Sequence, residues 1–468
     1  MTIQKEFDAN REAQFDVLPV LGKDRIYGFL NYTYVITGFA LATWCFMIGG
    51  SLSLFVGFKT AILASISGNM IAVLLMITTT MIPSSKYGID NYTVGGSFLG
   101  HNGTKALMIL LAIIQACWII VFSSMVGRAV IQIFINLTGV EVKGKVPLLI
   151  LSLLAAFAVW GITLKGPKLM GKLNTIFAPV VVLIIIGSIL IMGKKFGFDM
   201  IFNAQPLAPF ESKWLNFLIA FELSLGAGFS WWPNMGGLGR LCKNSRAAYW
   251  PNILGLVFAA TLGTAAGVAA ALLIGTTDPS TWMIPIGGIL LGIIALISLS
   301  MANLTACSII TYNICLGFKQ IKFFYKKEWI TVTGIFMIPV LIGMFFSTAL
   351  YDKFYIILGL ACTIYSPIIA IQFVDYFIFR KQDLDLRALY NKTEDSKYRF
   401  WKGFNLVAIF VFITAIPVYY LFLDPVTLEY TNAFQYITAT GGATLYSLIV
   451  YYFLGKLILF KKKIGGYQ

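Results

Sequence analysis

Apolar residues fill this chain in long, almost unbroken runs, and polar residues collect in the short stretches between them. Twelve runs are long enough to cross about 30 Å of hydrocarbon as helices rising 1.5 Å per residue. They lie at residues 29–56, 61–83, 105–135, 147–164, 174–193, 214–235, 249–275, 286–318, 329–348, 351–379, 403–423 and 432–459. The pattern predicts an all-α polytopic membrane protein with 12 transmembrane helices. Residues 1–28 are polar and charged, without the apolar core of a signal peptide, and read as a cytoplasmic tail; residues 460–468 read as a second.

One run departs from the rest. Ala220 to Asn252 reads AFELSLGAGFSWWPNMGGLGRLCKNSRAAYWPN. It starts as a membrane helix, then carries Gly226 and Gly228, paired tryptophans, Pro233 and the pair Gly236-Gly237. Glycine costs roughly 1 kcal/mol in a helix interior and proline about 3. Such a cluster at membrane depth predicts a broken helix whose freed backbone groups line a cavity. The first run has its own Gly38-Phe39, echoed by Gly228-Phe229 five spans later, as an inverted five-plus-five repeat requires. Close helix packing is the plain alternative for each glycine pair.

Composition agrees with the membrane reading. The 468 residues are 58% hydrophobic and 12% charged, where soluble domains carry about a quarter charged, and mean hydropathy is +0.82. The net charge of +15 does not point to nucleic acid, because most of the 35 Lys and Arg fall in the tails and alternate short loops. That bias places both termini in the cytoplasm and the segments around Lys143 and Lys194 to Lys213 outside, with the cell (plasma) membrane as the expected location. The six cysteines have no metal-type spacing and His101 is the only histidine, so no cofactor is expected. A monomer is expected.

Polar residues inside the spans are the candidate chemistry. Span three carries Gln115 and Trp118 near mid-depth, too deep for an interfacial anchor, so the tryptophan belongs either to the packed core or to a pocket. Span eight holds Ser298, Ser300, Asn303, Thr305, Ser308, Thr311 and Asn313; any one can satisfy itself on a carbonyl one turn back, but their density suggests a helix facing a site. Glu222 lies one turn before the expected break, where a carboxylate is expensive unless it is paired or works on something. It is a candidate proton carrier, the alternative being a hydrogen bond that fixes a neighbouring helix. The glycine-rich stretch after span two reads as an interfacial loop.

Several stretches together resemble the nucleobase:cation symporter-1 family, nearest its cytosine permease and hydroxymethylpyrimidine transporter branches. They are Gly38-Phe39 with Gly49-Gly50, Ser85 to Asp90, Gln115-Ala-Cys-Trp118, Ser230-Trp231-Trp232-Pro233 up to Arg240, Asp375-Tyr376-Phe377 with Arg380-Lys381, and Phe400 to Asn405. The resemblance implies a leucine-transporter-type fold: residues 29–193 and 214–379 as inverted repeats with broken helices one and six, then two additional spans in residues 403–459. It also implies a planar substrate between spans one, three, six and eight. The candidate substrate residues are Phe39, Gln115, Trp118, Gly226, Gly228, Phe229, Asn303 and Cys307. Family members usually have an acid near Gly237-Leu238 and paired hydroxyls before an Asn in span eight; here the acid is missing and the hydroxyl pair is incomplete. A sodium site would use Gly38, Leu41 and Thr305, whereas proton coupling would use Glu222, and the incomplete hydroxyls tilt the reading toward the proton. The expected function is import of a nucleobase or related heterocycle, such as cytosine, a purine or hydroxymethylpyrimidine, by a symporter using H+ or Na+. A same-fold carrier of an amino acid or other small metabolite is the alternative. An enzyme is not expected, since no paired acids, His-Cys or Ser-His set lies within the spans.

Overall fold

The structure, a computed structural model, describes residues 15–467 except 277, 392, 394 and 395. The predicted amino-terminal tail up to residue 14 lies outside the described residues. Helices follow all twelve apolar runs. Among the described residues, nine are long and apolar enough to cross a membrane, and the bent pair Phe29–Ala40 and Trp44–Ser53, turning by 51°, makes a tenth. The other two are Leu406–Tyr420 and a sixth span split into Lys213–Phe229 and Trp232–Gly239. Among the described residues, extended pairing is limited to three isolated bridges.

Several helices outrun their apolar cores. Span three is His101–Thr138, span five is Pro167–Phe196, and span eight is Pro279–Phe318, in which Gly288 at φ 75° separates a short first piece from the long membrane segment. The stretch after span two differs from the expected interfacial loop: Asn91–Phe98 is a helix with all eight residues buried. Asp90 starts it, its carboxylate accepting from the backbone N–H of Tyr92 at 2.9 Å and Thr93 at 3.1 Å. Gly95 lets it approach span three, since a Cβ there would stand 2.8 Å from Thr104 Cγ2.

Small residues set the closest crossings. Gly68 and Ala72 on span two face Ser224 and Gly228 on span six: a Cβ at Gly68 would be 2.7 Å from Ser224 Cβ, and one at Gly228 would be 2.5 Å from Ala72 Cβ. Two small residues four apart on each helix form the seam membrane helices use to pack, where lipid gives no hydrophobic drive for association. Gly49 on span one and Gly267 on span seven (Ser245–Ile274) are closer still. A Cβ on either would collide with the other helix's backbone, at Thr264 and Phe46 respectively.

Both described chain ends fold back onto one face of the bundle. Residues 15–20 cross beneath it, held by Val20 N–H on the Gly88 carbonyl at 2.8 Å, the fully buried Arg240 on the Asp16 carbonyl at 2.6 Å, and Tyr390 on the Val17 carbonyl at 2.6 Å. The carboxyl end is held by the last turn of span ten. Asp375 accepts from Tyr467 and pairs with Arg380 at 2.9 Å, while Arg380 donates to the carbonyls of Ser97 at 2.7 Å and Gly465 at 3.0 Å.

Candidate functional site

Span one is interrupted over Leu41 to Thr43, with neither glycine nor proline at the break. The interruption is held from outside. Asn303 of span eight accepts from Thr43 N–H at 2.8 Å and donates to Thr43 Oγ1 at 2.6 Å, so its amide meets a backbone group the helix no longer satisfies. Span six is interrupted at Ser230 and Trp231, one turn later than the glycines suggest. Gly226 to Phe229 remain helical, and Pro233 sits in the first turn of the second half, where its missing N–H costs nothing.

Between the two breaks lies a small cavity walled by rings. Phe39 and Trp44 flank the break of span one, Trp118 and Phe122 come from span three, and Trp231 stands at the break of span six. Trp231 meets Phe39 and Trp44 edge-on, both at 4.7 Å between centroids. Trp118 is braced edge-on by Phe354 at 5.4 Å and tilted against Phe122 at 5.7 Å. Gln115, Ser230, Asn234 and Ile310 complete the wall. Three of its polar atoms, Gln115 Nε2, Asn234 Oδ1 and Trp231 Nε1, are buried and hydrogen-bond to nothing among the described residues. Buried polar groups are nearly always paired, and each orphan costs about 1–3 kcal/mol. Three converging on one cavity mark a place built to pair with something else. Among the described residues, no charged side chain lines it.

Of the residues singled out from the sequence, Phe39, Gln115 and Trp118 come together in this wall, and the other five substrate candidates do not line it. Gly228 faces span two, and Gly226 faces span ten, where a Cβ would collide with Cys362 Sγ. Asn303 is committed to the break of span one. Phe229 and Cys307 are buried elsewhere, Cys307 Sγ lying 4.0 Å from the Ile119 carbonyl. Trp44, Phe122, Ser230, Trp231, Asn234 and Ile310 are the wall residues outside the sequence candidates, and Trp231 and Asn234 carry two of the three unpartnered atoms. The paired tryptophans and Pro233 were a signal for the break; a helix starting at Pro233's turn puts residues 231 and 234 on one face.

The ion candidates separate into two places. Gly38 and Thr305 meet at Asn174 of span five, a lone amide absent from the candidates: Thr305 Oγ1 donates to Asn174 Oδ1 at 3.2 Å and to the Ala302 carbonyl at 3.0 Å, and a Cβ at Gly38 would collide with Asn174 Oδ1. Leu41, fully buried, caps the first half of span one nearby in sequence. Glu222 points the other way, to span twelve, where one carboxylate oxygen accepts from the N–H of Thr440 at 2.9 Å and its hydroxyl at 2.6 Å. Most other span-eight polar groups donate one turn back, as the hydroxyls of Ser300, Ser308 and Thr311 and the amide nitrogen of Asn313 do. Among the described residues no three His, Cys, Asp or Glu side chains gather as a metal site.

An all-helical bundle with two interrupted spans around an uncharged, ring-walled cavity defines a membrane carrier for a small solute. The chain belongs to the family of permeases for cytosine/purines, uracil, thiamine and allantoin, whose pattern matches residues 19–453. It is similar to the purine-uracil permease NCS1 of Arabidopsis thaliana, 23% identical over 477 residues, 95% of this chain and 77% of that one. Among solved structures it resembles Mhp1, a nucleobase-cation-symport-1 family transporter, closed with bromovinylhydantoin bound: TM-score 0.77, 19% identity, 94% of this chain and 96% of the other covered. The inward-facing conformation of Mhp1 gives TM-score 0.74 at 19% identity, covering 94% and 95%. A substrate-bound, outward-open Na+-coupled sialic acid symporter gives 0.62 at 13%, covering 96% and 92%. These likenesses bear out the leucine-transporter-type fold expected from the sequence.

Proposed function

We propose that the chain is a symporter that carries a flat, neutral nucleobase-like heterocycle through the cavity between the two broken spans by alternating access. The observation that carries this reading is the set of three unpartnered polar atoms inside a wall of aromatic rings. A heterocycle has faces to stack and edges to hydrogen-bond, and it brings no charge to a wall that offers none. An amino acid would bring two charges, which favours the heterocycle over the alternative. Residues 29–193 and 214–379 are read as the inverted repeats, each opening on a broken span, with residues 403–459 outside them.

The test is thermal stabilisation of the detergent-solubilised protein across a panel of bases, hydantoins, vitamins and amino acids, because a ligand that binds only the folded state raises the melting point. Stabilisation by amino acids and by no heterocycle would overturn the reading.

For coupling, the surroundings of Glu222 favour the packing role over the proton role, since its carboxylate serves span twelve rather than the cavity. The neutral oxygens of Thr305 and Asn174 beside Gly38 favour sodium as the co-transported ion. Glu222→Gln should retain sodium-driven uptake in proteoliposomes, and Asn174→Ala should lose the sodium dependence. Uptake driven by a pH gradient alone and abolished by Glu222→Gln would reverse that choice.

Both chain ends are read as cytoplasmic in the plasma membrane. Lys195, in the last turn of span five, and Lys381, in the turn after span ten, are both exposed. Cysteine at Lys195 should react with an impermeant reagent in intact cells, and cysteine at Lys381 only after lysis; the opposite pattern inverts the topology.

A further inference from the structure

The cavity is about 20 Å³, room for about one water, whereas sites for small organic ligands commonly reach about 300 Å³ or more. A wall residue must therefore move before any ring can enter, and the walls are not equally free. Trp118 sits within an uninterrupted 38-residue helix and is braced by Phe122 and Phe354. Trp44 donates its indole N–H to the Phe39 carbonyl at 3.5 Å. Trp231 stands at the interruption of span six, its indole N–H bonds to nothing, and its ring fills the slot against Phe39 and Trp44. Asn234 follows one turn later on the same short helix, its amide oxygen also unpartnered, and it lines the same cavity as Gln115.

We propose that Trp231 and Asn234 form the selectivity pair of this carrier: Trp231 is a movable ring that holds the slot and limits the size of the ring that replaces it. Asn234, together with Gln115, pairs with a lactam edge, an N–H beside a C=O. This inference rests on the heterocycle reading above and deepens it. The orphan atoms are an acceptor, Asn234 Oδ1, and two donors, Gln115 Nε2 and Trp231 Nε1. A lactam edge answers the first two, since its N–H donates to Asn234 and its carbonyl accepts from Gln115. Rotating both amides exchanges donor and acceptor on the two residues together, and a lactam edge still fits in the reverse sense. The favoured ligands are oxo-bases with a free ring N–H, and their N-methylated forms are disfavoured because they leave the Asn234 oxygen unpaired.

The probes are uracil and hypoxanthine, one ring and two, each with its N-methylated analogues, measured by competition or thermal shift on the full chain. Wild type should discriminate against N-methylation at the lactam. Asn234→Leu, of similar volume, should lose roughly 2- to 12-fold of that discrimination, the range of one neutral hydrogen bond. Trp231→Ala should shift the hypoxanthine-to-uracil ratio toward hypoxanthine by tenfold or more, and should Trp231→Ala fail to fold, Trp231→Phe, a smaller ring without the N–H, should shift it in the same direction. Unchanged ratios in folded Trp231 and Asn234 variants, with wild type binding these bases, would overturn the pair and leave the carrier reading standing. Absence of binding by wild type to every heterocycle would overturn both.

Discussion

Asp375→Ala should destabilise the protein by about 3–5 kcal/mol, the usual consequence of removing one partner of a buried ion pair. Arg380 is left behind with 4% of its side chain exposed and no other carboxylate in the pair, and Asp375 itself is fully buried. The loss spreads beyond the pair. Asp375 also accepts from Ser97 Oγ at 3.2 Å and from Tyr467, so the buried helix after span two and the carboxyl end are both tied to it. The Arg380 guanidinium further lies 4.3 Å from the Tyr467 ring and 4.6 Å from the Tyr398 ring. Replacing both members, Asp375→Ala with Arg380→Met, should cost less than the two single changes added together, because no uncompensated charge remains. Melting of the purified variants checks this. A single Asp375→Ala variant melting with the wild type would show that the pair is not holding the carboxyl end.

Trp118→Ala should weaken heterocycle binding by roughly 1–3 kcal/mol, the range measured for a base stacked on an aromatic side chain, or about 5- to 150-fold in Kd. Folding should suffer less than for an ordinary core tryptophan, since one side of the ring lines the cavity and only the other is braced by Phe354 and Phe122. The proper comparison is Phe229→Ala, which the sequence places on equal footing with Trp118. Phe229 is buried outside the wall, so its loss should lower the melting point with little change in relative ligand affinity. Equal losses of affinity in both variants would move the site toward the first half of span six.

The contrast between those two residues shows what the sequence can carry. Apolar run length reports where helices run, so a helix along each of the twelve runs was legible, and the proline-glycine cluster of span six marked its interruption. Rotation about each helix axis is not written in an almost uniformly apolar run. Phe229 and Trp231, two residues apart, differ by about 200° around a helix, and nothing local says which faces the cavity. Gly226 and Gly228 likewise serve neighbouring helices rather than the site. The break of span one was legible from the echo of Gly38-Phe39, yet what holds it is Asn303, 260 residues away. Asn174 escaped notice because a lone amide in a span gains meaning only from Gly38 and Thr305 across from it. The family-like Asp375 to Lys381 stretch was readable as a marker, and its physical reason, a latch on the carboxyl end, needed the fold.

Gly49 and Gly267 bring two main chains into direct contact with no side chain between them to repack. Helices joined that way cannot slide or roll independently, so the second half of span one and span seven shift as one piece. Any change of tilt along span one is then concentrated in residues 41–43. From outside span one, that joint is clasped by one neutral amide making two hydrogen bonds to Thr43, together about 1–3 kcal/mol. That is comparable to the gain from stacking a single base. A ring that stacks better in one tilt than the other has enough free energy to unclasp the joint without breaking an ion pair.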